Sequence, residues 1–296
     1  MLRLVMRAEP SFPFLGSEAV TSGTLRRHQL RSRYRAVLPD VYVPRDEVLT
    51  LRQRTVAAWL WSRRKGVIAG LSASAWHGSK WVDENVPIEL IWRNARPPRG
   101  IRTYDMQLLP DERVVSAGLP ITTAQRTAYD IGRRKPRDSA VANLDALMRA
   151  TAITADEVYA VAERHRGTRG LRQLEAVLTL VDVGSQSPKE TWLRLLLMSA
   201  GLPRPTTQIR VTTPHGQVYY LDLGWPELMV AVEYDGEHHR IDRWQYTKDI
   251  RRSETLERLG WIVIRVTVTE RPTNIVTRVR GALADRAASL RWGHRA

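Results

Sequence analysis

The stretch Leu221-Asp222-Leu223-Gly224-Trp225-Pro226-Glu227-Leu228-Met229-Val230-Ala231-Val232-Glu233-Tyr234-Asp235-Gly236 constrains the chain more than any other. Two apolar runs flank a Pro-Glu step, and acids are set into both. It reads as a β-hairpin. A carboxylate on a half-buried strand is costly unless something positive neutralises it. With Pro226-Glu227 as the turn, Asp222 falls opposite Ala231, and Glu233 is its diagonal neighbour on the same face. Leu228, Val230, Val232 and Tyr234 then form a core face. Met229, Ala231, Glu233 and Asp235 form the face that collects the acids. A one-residue change in the turn would flip this pairing. Asp222 and Glu233 can converge on one metal ion, and an oxygen-preferring ion, Mg²⁺ or Mn²⁺, suits them. On a solvent-exposed sheet face the same two acids are ordinary.

The flanks add detail. Ser187 is a candidate helix N-cap, Pro188 fits the first helical position and Glu190 the capping-box position. That helix ends before Gly201 and Pro203. After the hairpin come Asp235-Gly236-Glu237-His238-His239 and Asp249-Ile250-Arg251-Arg252, with a helix expected over roughly 244–259 and stopped by Gly260. Trp261-Ile262-Val263-Ile264-Arg265-Val266 reads as a further strand. The order is helix, strand, hairpin, helix, strand.

Over about residues 185–290, these pieces in this order resemble the PD-(D/E)XK nuclease superfamily, and more narrowly its Vsr-like (very-short-patch-repair) branch. The resemblance implies a restriction-endonuclease-like αβββαβ domain and hydrolysis of DNA phosphodiester bonds. It implies Asp222 and Glu233 as primary Mg²⁺ (or Mn²⁺) ligands, with Glu190 assisting from the helix. Asp235 occupies a position where many members carry lysine. Lys248, one helix on, can supply a relocated ammonium, or His239 can serve as general base or phosphate contact. His238 reads as a solvated turn residue. Arg251 and Arg252 are candidate phosphate clamps.

Composition points to the same class of partner. The 296 residues carry a net charge of +15 with a pI near 10.7, which implies nucleic acid or an anionic surface. There is no cysteine, so disulfides and thiolate zinc sites are excluded. That is compatible with a reducing cytoplasm, the expected location. The N-terminus meets Arg, Glu and Pro too soon for a signal-peptide core. No apolar run reaches membrane-spanning length, so no membrane partner is expected.

The first forty-odd residues look like a DNA-binding unit. Thr24 to Arg31 can form a helix, and Tyr34 to Val43 reads as strand, Pro-Asp turn, strand. A basic helix followed by a hairpin is the shape of a winged helix. Arg26, Arg27, Arg31, Arg33 and Arg35 lie close together with no acid among them, a density suited to phosphates.

Further along, Arg52 to Arg64 reads as a basic helix, 66–78 as a short strand and small-residue helix, and Pro87 to Trp92 as a strand. Residues 118–131 read as a strand running into a threonine-capped helix. Ser139 to Ala150 and Ala155 to His165 read as amphipathic helices. His77, alone at a helix end, reads as structural. The segments Ala73-x-Ala75-x-His77-Gly78 and Gly118-Leu119-Pro120-Ile121-Thr122-Thr123-x-Gln125-Arg126-Thr127-x-Tyr129-Asp130 resemble the AbiEi family of abortive-infection antitoxins and regulators, over roughly residues 15–165. That resemblance implies a winged helix joined to an α/β domain, and repression of its own operon.

The expected organisation is therefore an α/β (α+β) chain in three parts: a winged helix over 1–48, an AbiEi-like α/β domain over 49–182 and the nuclease-like domain over 183–296. A metal-dependent DNA endonuclease, suited to defence against foreign DNA, is the first expectation. A non-enzymatic DNA-binding repressor or antitoxin is the second, kept open by Asp235. A module acting on RNA is the third, since basic charge does not distinguish the polymers; the ten tryptophans are scattered and form no stacking platform. A homodimer and a toxin or other operon partner are the further partners implied.

Overall fold

The structure, a computed structural model, describes residues 13–94, 96–235 and 243–293. The chain has the expected mixed α+β class and divides into two compact units, 1–135 with 147–175 and 136–146 with 176–296. The parts expected over 1–48 and 49–182 thus share a unit for most of their length. The chain crosses between units at the short step Lys135-Pro136 and, within helices, at 146–147 and 175–176.

Unit one begins with β1 (Phe14–Leu15), α1 (Gly16–Thr21), α2 (Arg27–Arg33), β2 (Tyr34–Leu38) and β3 (Val41–Pro44). The expected helix starts three residues late, because Leu25 is buried and pins a turn there. α1 and β1 have no sequence signal; six and two residues are too short to show a period. The hairpin β2–β3 closes through Pro39-Asp40 as expected, with Asp40 at φ 63°, the conformation that follows proline in a tight turn. Asp40 also accepts hydrogen bonds from Ser17 N (2.8 Å), Ser17 Oγ (2.5 Å) and Arg63 (2.8 Å). The three strands run in the order β1-β3-β2.

Unit one continues with α3 (Leu51–Trp61), β4 (Val67–Ala69), α4 (Gly70–Trp76), β5 (Ile88–Ile91), β6 (Ile101–Tyr104), β7 (Arg113–Ser116), β8 (Leu119–Thr122), α5 (Ala124–Arg134), α6 (Arg137–Thr151), α7 (Ala155–Arg164) and α8 (Leu171–Leu178), of which α6 and α8 straddle the boundary. Its second sheet has the order β6-β5-β4-β8-β7 around a core that includes Ile68, Leu90 and Ile121. The Arg126-to-Asp130 motif is buried. Arg126 pairs with Glu112 and Asp130, and Glu112 also meets His165 Nε2 at 2.7 Å. His77 Nε2 donates to the Thr122 carbonyl (2.8 Å).

Unit two contains α9 (Pro188–Ser199), β9 (Thr206–Thr212), β10 (Val218–Trp225), β11 (Val230–Asp235), α10 (Arg243–Arg258), β12 (Ile262–Thr267) and α11 (Pro272–Gly293), so the observed order is αβββαβ followed by a final helix. The sheet order is β12-β11-β10-β9, antiparallel except that β11 and β12 run parallel across α10. Both faces are covered. Leu193 and Leu197 of α9, with Ile275 and Val279 of α11, pack on Leu223, Val230, Val232 and Ile264. Leu256 of α10 packs on Ile209, Leu221 and Ala231.

A buried ion pair fixes α6 to α9. Arg194 donates to Asp145 at 2.7 Å, and Thr191 Oγ1 and Asp182 N each reach the same carboxylate at 2.7 Å. Asp145→Ala would leave the Arg194 guanidinium buried without its counter-charge, and is expected to destabilise unit two by about 3–5 kcal/mol. Urea unfolding checks this.

Candidate functional site

The hairpin carrying the acids differs from its expected register. Trp225 pairs with Val230, Gly224 with Ala231 and Leu223 with Val232. One step on, Asp222 comes level with Glu233, not Ala231. The reason is the turn. A two-residue hairpin turn needs φ > 0 at its first position, and proline cannot adopt it. The chain instead makes a short 3₁₀ turn, Pro226–Leu228, and closes through Met229 at φ 51°. Nor is the acid-bearing face an open one, since Met229 and Ala231 lie in the cluster beneath α10. At Gly224 a Cβ would lie 2.3 Å from the Val230 carbonyl oxygen, so a side chain there would push the strands apart.

Strand β10 changes face at Asp222. Tyr219 and Leu221 belong to the cluster beneath α10, whereas Leu223 and Trp225 belong to the cluster beneath α9 and α11. Gln208, across on β9, is held at φ 50°, and the β9–β10 ladder skips the pair between it and Asp222. Irregularity of this kind re-aims a side chain. Asp222 Oδ2 accepts from Tyr234 N at 3.2 Å, taking the place of a strand carbonyl.

Glu190 lies in the first turn of α9, where the sequence places it for helix reasons. Ser187 Oγ accepts from Glu190 N (3.2 Å) and donates to Glu190 Oε1 (2.9 Å), while Gln186 N donates to Oε2 (2.7 Å). Glu233 is buried, and both its oxygens are taken by Arg252 of α10, one at 2.8 Å. The same guanidinium donates to the Tyr220 carbonyl at 2.8 Å. Burial pushes the Asp222 carboxyl up to about 7, helped by the negative charges of Glu190 and Glu233; the Tyr234 N–H and Arg252 act the other way.

Thus Glu190, Asp222, Glu233 and Arg252 form one electrostatic cluster. Asp235 and Lys248 do not join it: both are exposed, Asp235 at the end of β11 and Lys248 on α10. Arg251 is exposed on α10. His239, with His238, lies outside the described residues. The alternation break at Asp222 and the role of the Tyr220 carbonyl have no sequence signal, because Tyr219 to Leu223 reads as an ordinary strand.

In unit one, Arg26, Arg27, Arg31, Arg33 and Arg35 are exposed. Arg35 is committed to the carbonyls of Arg45 (3.0 Å) and Glu47 (2.6 Å). Arg45, not singled out from sequence, donates to the carbonyls of Ser32 (2.9 Å) and Arg31 (2.5 Å), closing the C-terminus of α2. Among the described residues, Arg26, Arg27, Arg31 and Arg33 have no ion-pair partner.

No protein-family model matches the chain, and no solved structure does. The chain is similar to two proteins of Mycobacterium tuberculosis, uncharacterized protein MT2308 of strain CDC 1551 and uncharacterized protein Rv2248 of strain H37Rv. Each is 28% identical over 193 residues, 65% of this chain and 69% of the relative. Among the described residues, no helix is long and apolar enough to cross a membrane.

The raised Asp222 pKa sets a pH dependence. The folded carboxyl holds its proton more tightly than the unfolded one, so this group's stabilisation is present at low pH. It is lost as pH rises from its ordinary 3.8 to about 7. Across that window Asp222→Asn is expected to gain stability relative to the parent, with a plateau above it. Urea unfolding of both proteins below, within and above the window checks this; a constant difference would contradict it.

Proposed function

We propose that the protein is a DNA-binding, Mg²⁺-dependent endonuclease of the PD-(D/E)XK type, its basic helical pair and hairpin serving to hold duplex DNA. The observation that carries this is the face change at Asp222, which gathers Asp222, Glu233 and the α9 residue Glu190 within one αβββαβ unit. The helix cap accounts for Glu190 and the Arg252 pair for Glu233, but among the described residues no cation pairs directly with Asp222, whose carboxyl is raised to about 7 by burial and the other two acids.

The donors suit a hard cation, since all are carboxylate oxygens. Among the described residues, however, no three such side chains are already gathered as a metal cluster. Glu233 is engaged by Arg252, and Glu190 by the cap of α9. Asp222 and Glu233 would hold the ion, with Glu190 supplying further negative charge from the helix. Bound there, the ion would lower the pKa of a water and offset charge on the scissile phosphate. The chain's own residues fix Asp222 through Tyr234 N and, before any ion binds, hold Glu233 through Arg252. Exposed Lys248 and Arg251, on the same helix, are available to phosphate oxygens.

A second reading, a non-enzymatic regulator with a nuclease-like unit, is favoured by one observation: Arg252 already neutralises Glu233, and no lysine stands at position 235. Cleavage separates the two. With Mg²⁺ or Mn²⁺ the parent protein is expected to cut DNA, and Asp222→Ala and Glu233→Ala to lose cutting while retaining DNA affinity near the parent's. Equal residual cutting in parent and variants would mark a contaminant. A parent that binds DNA but never cuts it would favour the regulator.

DNA binding has its own test. Changing Arg26, Arg27 and Arg31 together to Ala is expected to weaken duplex binding and to flatten the log–log salt slope by about 0.9 for each phosphate no longer neutralised. Fluorescence anisotropy over a salt series measures both.

A further inference from the structure

Arg252 is, among the described residues, the cation paired with the acidic cluster, and its pairing is unusually complete. Its two terminal nitrogens cover both Glu233 oxygens, and one also donates to the Tyr220 carbonyl. Its guanidinium lies 5.9 Å from the Tyr219 ring centroid. Yet its side chain is 23% exposed, against 10% for Glu233, so the arginine is the more solvent-accessible partner of the pair. It is carried on α10, not on either acidic strand. Asp222 and Asp249 add to the negative field around it.

A carboxylate held bidentately by Arg has its strongest acceptor directions filled. A dication that needs the same oxygens can gain them only by displacing those N–H donors. We propose that Arg252 is the exchangeable counter-cation of this centre: it neutralises Glu233 until a divalent cation takes its place, and so sets the affinity of the site for that cation. This rests on the nuclease reading for the identity of the ion, but not for the exchange. Arg252 is here a positioning residue, since it acts through Glu233.

Isothermal titration of the full chain with Mn²⁺ tests the exchange without activity as the readout. Arg252→Met removes the competing charge and is expected to bind Mn²⁺ on the order of tenfold tighter than the parent. Arg252→Lys keeps the charge but loses the bidentate fork, and is expected to fall between the two. Arg258→Met, on the exposed side of the same helix, is expected to match the parent. Thermal melts of each variant establish folding, and Arg252→Lys carries the test if Arg252→Met does not fold. Mn²⁺ binding equal to or weaker than the parent's in the folded Arg252 variants, or no binding in any of them, overturns the proposal. Tighter Mn²⁺ binding with no DNA cutting by any protein would sustain the exchange and defeat the nuclease reading. Cutting by the parent with no tightening in the variants would do the reverse.

Discussion

Removing a carboxylate from water costs several kcal/mol unless a cation or hydrogen bonds replace the missing solvation, and both units are arranged around that constraint. Unit one buries Glu112 and Asp130 against Arg126, and Glu89 against Lys135 at 3.3 Å with Tyr104 Oη donating to the same carboxylate at 2.9 Å. Unit two buries Asp145 against Arg194 and Glu233 against Arg252. Asp222 is different. Among the described residues its carboxylate receives one backbone N–H and no direct cation, while two other acids press on it. Among the described residues this strand acid has no arginine of its own, and that asymmetry separates a candidate reactive centre from the structural ion pairs.

Much of this architecture is legible in the chain. The Ser187-Pro188-x-Glu190 start of α9, the Thr123 cap of α5 and the Pro39-Asp40 turn are local devices whose chemistry depends on neighbouring residues alone. The αβββαβ order follows from strand and helix periods together. What escapes a reading of the sequence is set by distant contacts. The register of the acidic hairpin depends on how proline closes a turn, and a two-residue turn would put Glu233 on the diagonal. The face change at Asp222 is a tertiary event, fixed by which helix covers each half of β10. The bond from Arg252 to Glu233 joins residues 19 positions apart on different elements, so from sequence the arginine reads as a free phosphate clamp.

The segment from Arg126 to Asp130 has a packing role in three dimensions. Arg126, Thr127, Tyr129 and Asp130 are buried; Arg126 is paired with Asp130 and Glu112, and Thr127 Oγ1 is hydrogen-bonded to Thr122 Oγ1. They specify how α5 packs on its sheet. The exposed arginines Arg26, Arg27, Arg31 and Arg33 are the opposite case, with charge held at the surface and no ion-pair partner among the described residues. Arg45 bridges the two behaviours: it follows directly on β3, and its hydrogen bonds fasten the end of α2 to the end of that strand.

The placement of Arg252 has one more consequence. A lysine two residues beyond Glu233 would ride on the same strand as the acid and keep its distance whatever the surrounding helices did. An arginine on α10 does not share that frame. The neutralisation of Glu233 therefore depends on the seating of a single helix: a slide or roll of α10 would lengthen the ion pair without altering the strand pairing. Contacts on the outer side of α10 would thus reach the carboxylates only by way of Arg252.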